Sequence, residues 1–238
     1  MIVTTIPRPE HPQPQMRREK WMNLNGEWNF CIDNGDSGKD RKLYQSTELS
    51  GKIIVPFCPE STLSGIGHVD FMSSVWYQRR LMLKKELDGS RILLHFGAVD
   101  YHCSVWVNGK PAGEHLGGYS SFAFDITDLA RDGENNLVVN ARDDVRCGLQ
   151  PRGKQSPDYF SNGCNYTRTT GIWQTVWIEY VPKDHICSVQ YYPNIADNVL
   201  TIKARVQGQG FLRAEASYEG RTCGSAAAKS AGGTVLVS

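Results

Sequence analysis

The sequence lacks the long hydrophobic runs from which membrane proteins are recognised. No stretch of about 18 apolar residues occurs, and the opening segment MIVTTIPRPEHPQPQM contains no apolar signal-peptide core. We therefore expect no membrane partner. The expected location is cytoplasmic, or exported after removal of a signal that this sequence does not contain.

The sequence also lacks an excess of charge of either sign. It has 26 Lys plus Arg against 25 Asp plus Glu among 238 residues, which gives a net charge of +1. Such a balance produces no long-range field that would attract a polyanion. A nucleic-acid partner is therefore not expected.

Motifs for metals, redox chemistry and nucleotides are absent as well. The seven cysteines are widely spaced and contain no C-x-x-C pair, so we interpret them as reduced thiols. His95 and His102 form the nearest approach to a metal pair but have no third ligand, and GIGHVD at residues 65–70 lacks the third glycine of a dinucleotide loop. We expect neither a metal nor a cofactor.

Short strand-like segments fill most of the chain. SVWYQRRLML alternates Val75 and Tyr77 with Trp76 and Gln78, which is the period of a β-strand. Similar segments are KIIVPF, RILLHFGAV, HCSVWVNG, SFAFDI, NNLVVNARD and GIWQTVWIEYV, each bounded by Gly, Pro, Asn or Asp. The only helix-like stretch is DITDLARDGENN, where Asp125 or Thr127 is suited to cap a single turn. The pattern predicts an all-β fold.

Asn-Gly and Asp-Gly pairs indicate where strands reverse. Asn108-Gly109 follows Val107 and suits a type I′ turn, because both residues tolerate a positive φ. It predicts a hairpin over VDYHCSVWVNGKPAGEHLGGY. Asp88-Gly89 and Asp132-Gly133 suggest two further turns.

The segmentation predicts three regions. Residues 1–19 are a Pro-rich extended segment, residues 20–182 form a β-sandwich, and residues 183–238 read as alternating strands of another sheet. An immunoglobulin-like sandwich needs roughly 100 residues. We therefore expect the last region to be an incomplete domain.

The long polar segment between NNLVVNARD and GIWQTVWIEYV is the best candidate for a functional loop, since loops of this length are usually functional or disordered. Its side chains able to bond or stack on a polyol are Arg152, Lys154, Asn165, Tyr166 and Arg168. A loop that only wraps the sandwich is an equally good interpretation. Asp143 and Asp144 point to opposite faces of an extended chain, so we interpret them as two solvated loop acids rather than a catalytic pair.

Three segments together resemble the N-terminal sugar-binding domain of family 2 glycoside hydrolases, the β-galactosidase and β-glucuronidase family. They are SSVWYQRRLML, RILLHFGAVDYHCSVWVNGKPAGEHLGGYSSFAFDITDL and TTGIWQTVWIEYV. The resemblance implies a jelly-roll sandwich of the galactose-binding-domain type, followed by the opening strands of an immunoglobulin-like domain. It also implies that the partner of these domains is a catalytic (β/α)₈ barrel, which this sequence does not contain.

The resemblance implies that both catalytic glutamates come from that barrel, one of them after an asparagine. No Asn-Glu dipeptide occurs here, so we expect this chain alone to be inactive and assign it no catalytic residue. Many members place an aspartate six residues before the Gly of the Gly-Ile strand, and this chain has Asn165 at that distance from Gly171. We predict that Asn165, Tyr166, Arg168, Arg152 and Lys154 form one wall of the subsite for the non-reducing sugar.

Three functions remain open at this point. The first is a non-catalytic N-terminal region of a retaining β-glycosidase, whose β-glycoside substrate the sequence does not specify. The second is an autonomous carbohydrate-binding module, with an aromatic platform drawn from Trp21, Tyr44, Tyr159 and Tyr166. The third is a structural or adhesive β domain. An exposed apolar patch would also favour homo-oligomers at high concentration.

Overall fold

The computed structural model describes residues 5–85 and 89–238, which fold into two compact units. The first unit contains the described residues before 86 together with Ile92–Tyr180. The second contains Val181–Ser238 and the described residues of 88–91. The boundaries predicted from the sequence, 1–19, 20–182 and 183–238, stay predictions.

The first unit is built from short strands. They are β1 (Trp21–Asn23), β2 (Gly26–Ile32), β3 (Gly51–Val55), β4 (Ser74–Leu83), β5 (Arg91–Phe96), β6 (Val99–Asp100), β7 (His102–Val107), β8 (Lys110–Leu116), β9 (Phe122–Asp125), β10 (Gly133–Arg142), β11 (Gly171–Ile172) and β12 (Val176–Val181). Three short 3₁₀ turns, Pro14–Met16, Leu43–Gln45 and Thr62–Ser64, are the only helical elements among the described residues. The predicted all-β fold is confirmed.

Two antiparallel sheets enclose the core of this unit. One has four strands in the order β1-β12-β5-β9 and the other has six in the order β3-β2-β4-β10-β7-β8, while β6 and β11 form a separate pair. Leu94, Phe96 and Ile178 from the smaller sheet pack with Trp28 and Tyr77 from the larger one. Burying each such side chain contributes about 1.5–3 kcal/mol, so the sandwich core is the main source of stability.

Strand β4 shows how alternation becomes packing. Val75 and Tyr77 lie in the sandwich core, whereas Trp76 joins a second buried cluster on the outer face of the six-stranded sheet. In that cluster Trp76 stacks on Trp106 with ring centroids 5.5 Å apart, and Leu49 lies over them. The connection between β2 and β3 therefore covers part of the outer face.

The predicted hairpin is confirmed. Strands β7 and β8 pair antiparallel, and the turn between them places Asn108 at φ 55° and Gly109 at φ 76°. The predicted cap at Asp125 is also present, because its Oδ1 accepts the backbone N–H of Thr127 at 3.0 Å. Two further turns were predicted. Gly133 has the positive φ that such a turn needs, 89°, whereas Asp88 of the other turn lies outside the described residues.

The N-terminal segment is anchored by a buried carboxylate on β12. Glu179 Oε2 accepts a bond from Arg18 Nη1 at 2.7 Å, and the Nε2 atoms of His11 and His95 lie 3.3 Å and 3.2 Å from its two oxygens. Burial alone would raise the pKa of Glu179, but these three partners outweigh it and hold the pKa below its usual value. The segment before β1 is therefore fixed to the four-stranded sheet.

The second unit contains β13 (His185–Asn194), β14 (Val199–Gln207), β15 (Gly210–Tyr218), β16 (Arg221–Ser230) and β17 (Gly233–Val237). They form one sheet in the order β13-β14-β17 and a two-stranded sheet of β15 and β16. Ala204, Leu212, Val235 and Val237 form its small core. In the described part of the chain no helix is long and apolar enough to cross a membrane.

Candidate functional site

The candidate site is the connection between β10 and β11, residues 143–170, which we call the 143–170 loop. Two of its segments pair with each other: the Tyr166 N–H donates to Lys154 O at 2.8 Å, and the Ser156 N–H donates to Tyr166 O at 2.7 Å. Asn165 N–H closes a turn on Asn162 O at 2.8 Å. The loop therefore has internal structure of its own, although it contains no strand.

Arg168 lies beneath the loop with only 3% of its surface exposed. Its guanidinium donates to the carbonyl oxygens of Ser156, Asp158, Tyr159 and Val69, and it lies over the Phe71 ring at 4.2 Å from the centroid. Five donors in a planar fork suit such a set of carbonyls. The guanidinium, predicted to contact sugar, holds the loop to residues 69–71.

Gln155 fixes the other side of the loop to the sandwich. It is fully buried; its Nε2 donates to Asp100 Oδ2 at 2.9 Å, and its Oε1 accepts the Thr169 N–H at 2.7 Å. Asp100 is the last residue of β6 and is 1% exposed. A buried amide that uses both its donor and its acceptor in this way defines the position of the segments it joins.

Three buried carboxyl groups lie under the loop. Glu60 accepts the Thr170 N–H on both oxygens, at 3.0 Å and 3.2 Å, and Asp143 accepts a bond from Gln150 Nε2 at 2.6 Å. Burial, together with the charges of Asp100 and Glu60, raises the pKa of Asp143 to about 7. Burial, together with the charge of Glu60, raises the pKa of Asp100 to about 6. Burial likewise raises the pKa of Glu60. Loss of hydration of the charged form explains the direction of all three shifts, and repulsion from neighbouring carboxylates adds to it at Asp143 and Asp100.

The expectation of two solvated acids at 143 and 144 is wrong for Asp143. Asp143 is only 5% exposed, whereas Asp144 is exposed and accepts the Arg146 N–H at 3.2 Å. The alternation argument placed them on opposite sides correctly. It missed that the inner side is covered by the returning loop, where Thr170 Oγ1 lies 3.5 Å from Asp143 Oδ2.

The surface of the loop presents phenol, amide and cationic groups. Tyr119, from the Gly-Gly-Tyr end of the predicted hairpin, lies with its hydroxyl 3.2 Å from that of Tyr166; the two are 56% and 42% exposed. Asn165 is half-buried, and Lys154 is exposed. Arg152 is half-buried and donates through Nη1 to Gln155 O at 2.7 Å. The fold thus brings four of the five predicted residues to the surface of one loop, with Arg168 below it.

The four aromatic residues suggested as a platform separate into two groups. Trp21 packs edge-on against His11 with centroids 4.6 Å apart, and Tyr44 stacks on Trp106 at 5.6 Å. Tyr159 and Tyr166 remain exposed at 45% and 42%. Of the four, only the two tyrosines of the loop are exposed, whereas Trp21 and Tyr44 are half-buried.

Sequence reasoning missed Glu60, Asp100 and Gln155, which support the loop, and Tyr119, which borders it. For Asp100 the sequence did contain a signal, the glycine at position 118. In the structure a Cβ atom at Gly118 would lie within 3.0 Å of three atoms of Asp100. Only glycine permits this close approach. Among the described residues no group of three or more His, Cys, Asp or Glu side chains is arranged to hold a metal ion.

Solved structures with the same fold define the class of the protein. A β-glucuronidase from an uncultured Clostridium sp. superposes with a TM-score of 0.67 at 21% identity, over 93% of this chain and 40% of that one. The β-glucuronidase from Ruminococcus gnavus in complex with D-glucaro-δ-lactam gives a TM-score of 0.68 at 21% identity, with the same coverage. The chain is thus a β-sandwich protein with the architecture of part of these enzymes.

Sequence comparison identifies the family. Residues 66–178 match the family model described as glycosyl hydrolases family 2, sugar binding domain. The β-glucuronidase of Paenibacillus borealis is 28% identical over 189 residues, 68% of this chain, and the β-galactosidase of Thermoanaerobacter pseudethanolicus is 31% identical over 51% of it. Residues 66–178 therefore carry the sugar-binding domain of family 2 of the glycosyl hydrolases. The chain spans between 15% and 31% of the length of the curated relatives it matches.

Proposed function

We propose that this chain is the non-catalytic N-terminal region of a retaining β-glycosidase. In this proposal the sandwich supports a catalytic (β/α)₈ barrel, and the 143–170 loop forms one wall of the subsite for the non-reducing sugar. The observation that carries it is the support beneath the loop. Arg168, Gln155 and Glu60 hold a polar surface in one conformation, and a binding wall needs such preorganisation.

The side chains at the loop surface suit a sugar. Tyr119 and Tyr166 offer hydroxyl groups that donate and accept, and Asn165 offers both a carbonyl and an amide. Lys154 and Arg152 add positive charge, which complements the carboxylate of a uronic acid. Together with the names of the relatives, this charge favours a β-glucuronide over a neutral β-galactoside as the substrate of the whole enzyme.

The buried carboxyl groups do not act on a substrate in this proposal. Glu60, Asp100 and Asp143 are at most 8% exposed and are bonded to residues of the loop. A glycosidase needs two carboxyl groups that reach the glycosidic bond. The 238-residue chain by itself should therefore hydrolyse neither aryl β-glucuronides nor aryl β-galactosides.

A chimera tests the proposal. Residues 1–238 would replace the matching N-terminal region of the Paenibacillus borealis β-glucuronidase, and hydrolysis of an aryl β-glucuronide would be measured. Asn165→Ala and Tyr166→Ala should raise KM or lower kcat by about tenfold, the value of one lost charged or well-placed hydrogen bond, whereas Lys110→Ala on the β7–β8 hairpin should change neither. Unchanged kinetics in both loop variants would contradict the proposal.

An autonomous carbohydrate-binding module is the second candidate. The observation that favours it is the exposure of Tyr119, Tyr159 and Tyr166 on one loop region. Saturation-transfer NMR on the isolated chain separates the two functions. A module binds galactose, glucose or glucuronic acid on its own and loses binding in Tyr166→Ala, whereas a wall of a larger pocket gives no transfer from these residues.

A further inference from the structure

Tyr119 reaches the 143–170 loop from another part of the chain. It lies in the connection between β8 and β9, and its hydroxyl oxygen is 3.2 Å from that of Tyr166. The two residues are 47 positions apart, so the fold and not the local sequence brings them together. The surface of the candidate site is therefore shared between two connections of the sandwich.

The phenol of Tyr119 is held on two sides. Its ring packs edge-on against Trp173, with ring centroids 5.9 Å apart, and Trp173 is itself fixed because its Nε1 donates to Gly118 O at 2.8 Å. On the other side the hydroxyl lies against the backbone of the loop, where a Cβ atom at Gly153 would be 3.0 Å from it. These contacts hold the Tyr119 hydroxyl at one position beside Tyr166.

The hydrogen bonds of Tyr119 run in one direction, from the buried support to the surface. Gln155 Oε1 accepts the Thr169 N–H, which fixes the orientation of the amide and leaves its Nε2 as the donor. This amide donates to Asp100 Oδ2 and also to the Tyr119 hydroxyl. Partial burial and then the bond to Tyr166 raise the pKa of Tyr119, and a hydrogen bond has this effect when the hydroxyl donates it. The bonds thus lead from Gln155 through Tyr119 to Tyr166.

This direction decides what Tyr166 offers to a ligand. When its oxygen accepts the hydrogen of Tyr119, its own hydrogen points away from Tyr119, and hydrogen bonds in series strengthen one another in such an arrangement. Tyr166 is 42% exposed, so its hydroxyl is free to donate to a ligand at the surface of the loop. The ligand must then present an acceptor oxygen at this place.

We propose that Tyr119 is a positioning residue of the sugar-binding wall, which fixes the Tyr166 hydroxyl as a donor to an acceptor oxygen of the bound sugar. This role rests on the proposed function of the 143–170 loop and adds to it a residue from outside the loop. Tyr119 acts through Tyr166. Its hydroxyl therefore contributes to binding only while the Tyr166 hydroxyl is present.

A double-mutant cycle tests this role in the chimera of residues 1–238 with the Paenibacillus borealis β-glucuronidase. Tyr119→Phe, Tyr166→Phe and the double variant each keep the rings and remove hydroxyl groups. Tyr119→Phe should raise KM for an aryl β-glucuronide by about threefold to tenfold, the value of one hydrogen bond, and should have no further effect in the Tyr166→Phe background. Tyr159→Phe is the matched control, since Tyr159 is a loop tyrosine of similar exposure, and it should leave KM unchanged.

Amide hydrogen exchange on the 238-residue chain separates positioning from folding. Tyr119→Phe keeps the ring beside Trp173, so exchange in residues 152–168 should stay unchanged. Faster exchange there, additive effects of the two substitutions, or an unchanged KM in Tyr119→Phe would overturn the role of Tyr119. The loop would still be a wall of the subsite if Asn165→Ala and Tyr166→Ala impair hydrolysis, so the two proposals fail separately.

Discussion

Replacing Asp143 by asparagine should stabilise the first unit at neutral and alkaline pH and not in acid. In the folded state Asp143 has a pKa of about 7, raised by burial and then by the charge of Asp100. In the unfolded chain an aspartate titrates near 3.9. Protonated Asp143 therefore favours the folded state below about pH 4, and this contribution is lost as the pH rises through 7.

The magnitude follows from the separation of the two pKa values. One pKa unit corresponds to about 1.4 kcal/mol, so keeping Asp143 ionised in the folded protein at pH 8 costs on the order of 3–4 kcal/mol. Asparagine retains an oxygen for the Gln150 amide and removes the charge. We expect Asp143→Asn to gain about 2–4 kcal/mol at pH 8 and close to nothing at pH 4.

Urea unfolding followed by tryptophan fluorescence provides the assay. All six tryptophans lie between residues 21 and 177, in the first unit, so the signal reports that unit alone. Asp144→Asn is the matched control, since Asp144 is exposed and surface substitutions usually change stability by less than about 0.5 kcal/mol. A difference between Asp143→Asn and wild type that does not vary from pH 4 to pH 8 would refute the reasoning.

Three further substitutions test the packing of the first unit. Gly118→Ala should cost about 1–3 kcal/mol, because its Cβ would meet Asp100 within 3.0 Å, whereas Gly35→Ala, with its nearest neighbour at 4.0 Å, should be neutral; urea unfolding compares them. Glu179→Gln should cost about 2–4 kcal/mol at pH 7 through loss of the buried pairs. Because the pKa of Glu179 is lowered, this cost should shrink as the pH falls below about 4, and equal costs at pH 7 and pH 3 would contradict the assignment. Arg168→Ala should increase amide hydrogen exchange throughout residues 156–160 by about tenfold or more, and unchanged exchange there would mean that the guanidinium does not hold the loop.

Local patterns were sufficient for the strands. The segment SVWYQRRLML is β4 without any change of bounds, since alternation and β-branched or aromatic residues specify an extended chain within a few positions. Asn108-Gly109 fixed the hairpin for the same reason, because the turn depends only on the backbone freedom of its own residues.

The support beneath the loop was not visible in local patterns. Arg168 looked like a ligand-binding cation because nothing near it in the sequence indicates the carbonyl of Val69, 99 positions earlier. Glu60, Asp100 and Asp143 come together only when three separate segments meet. The same holds for the Pro-rich segment: the sequence predicted only an extended chain there, whereas the structure buries His11 against Glu179.

The bond between Arg18 and Glu179 has a consequence for biosynthesis. These residues are 161 positions apart. Strand β1 likewise pairs with β12, which is synthesised much later. At about 5–20 residues per second, the ribosome takes roughly 10–30 s to deliver the second strand after the first. During that interval the nascent N-terminal stretch has no sheet to join. Until then β1 has an unpaired edge, so the four-stranded sheet can be completed only after the chain has been synthesised past residue 181.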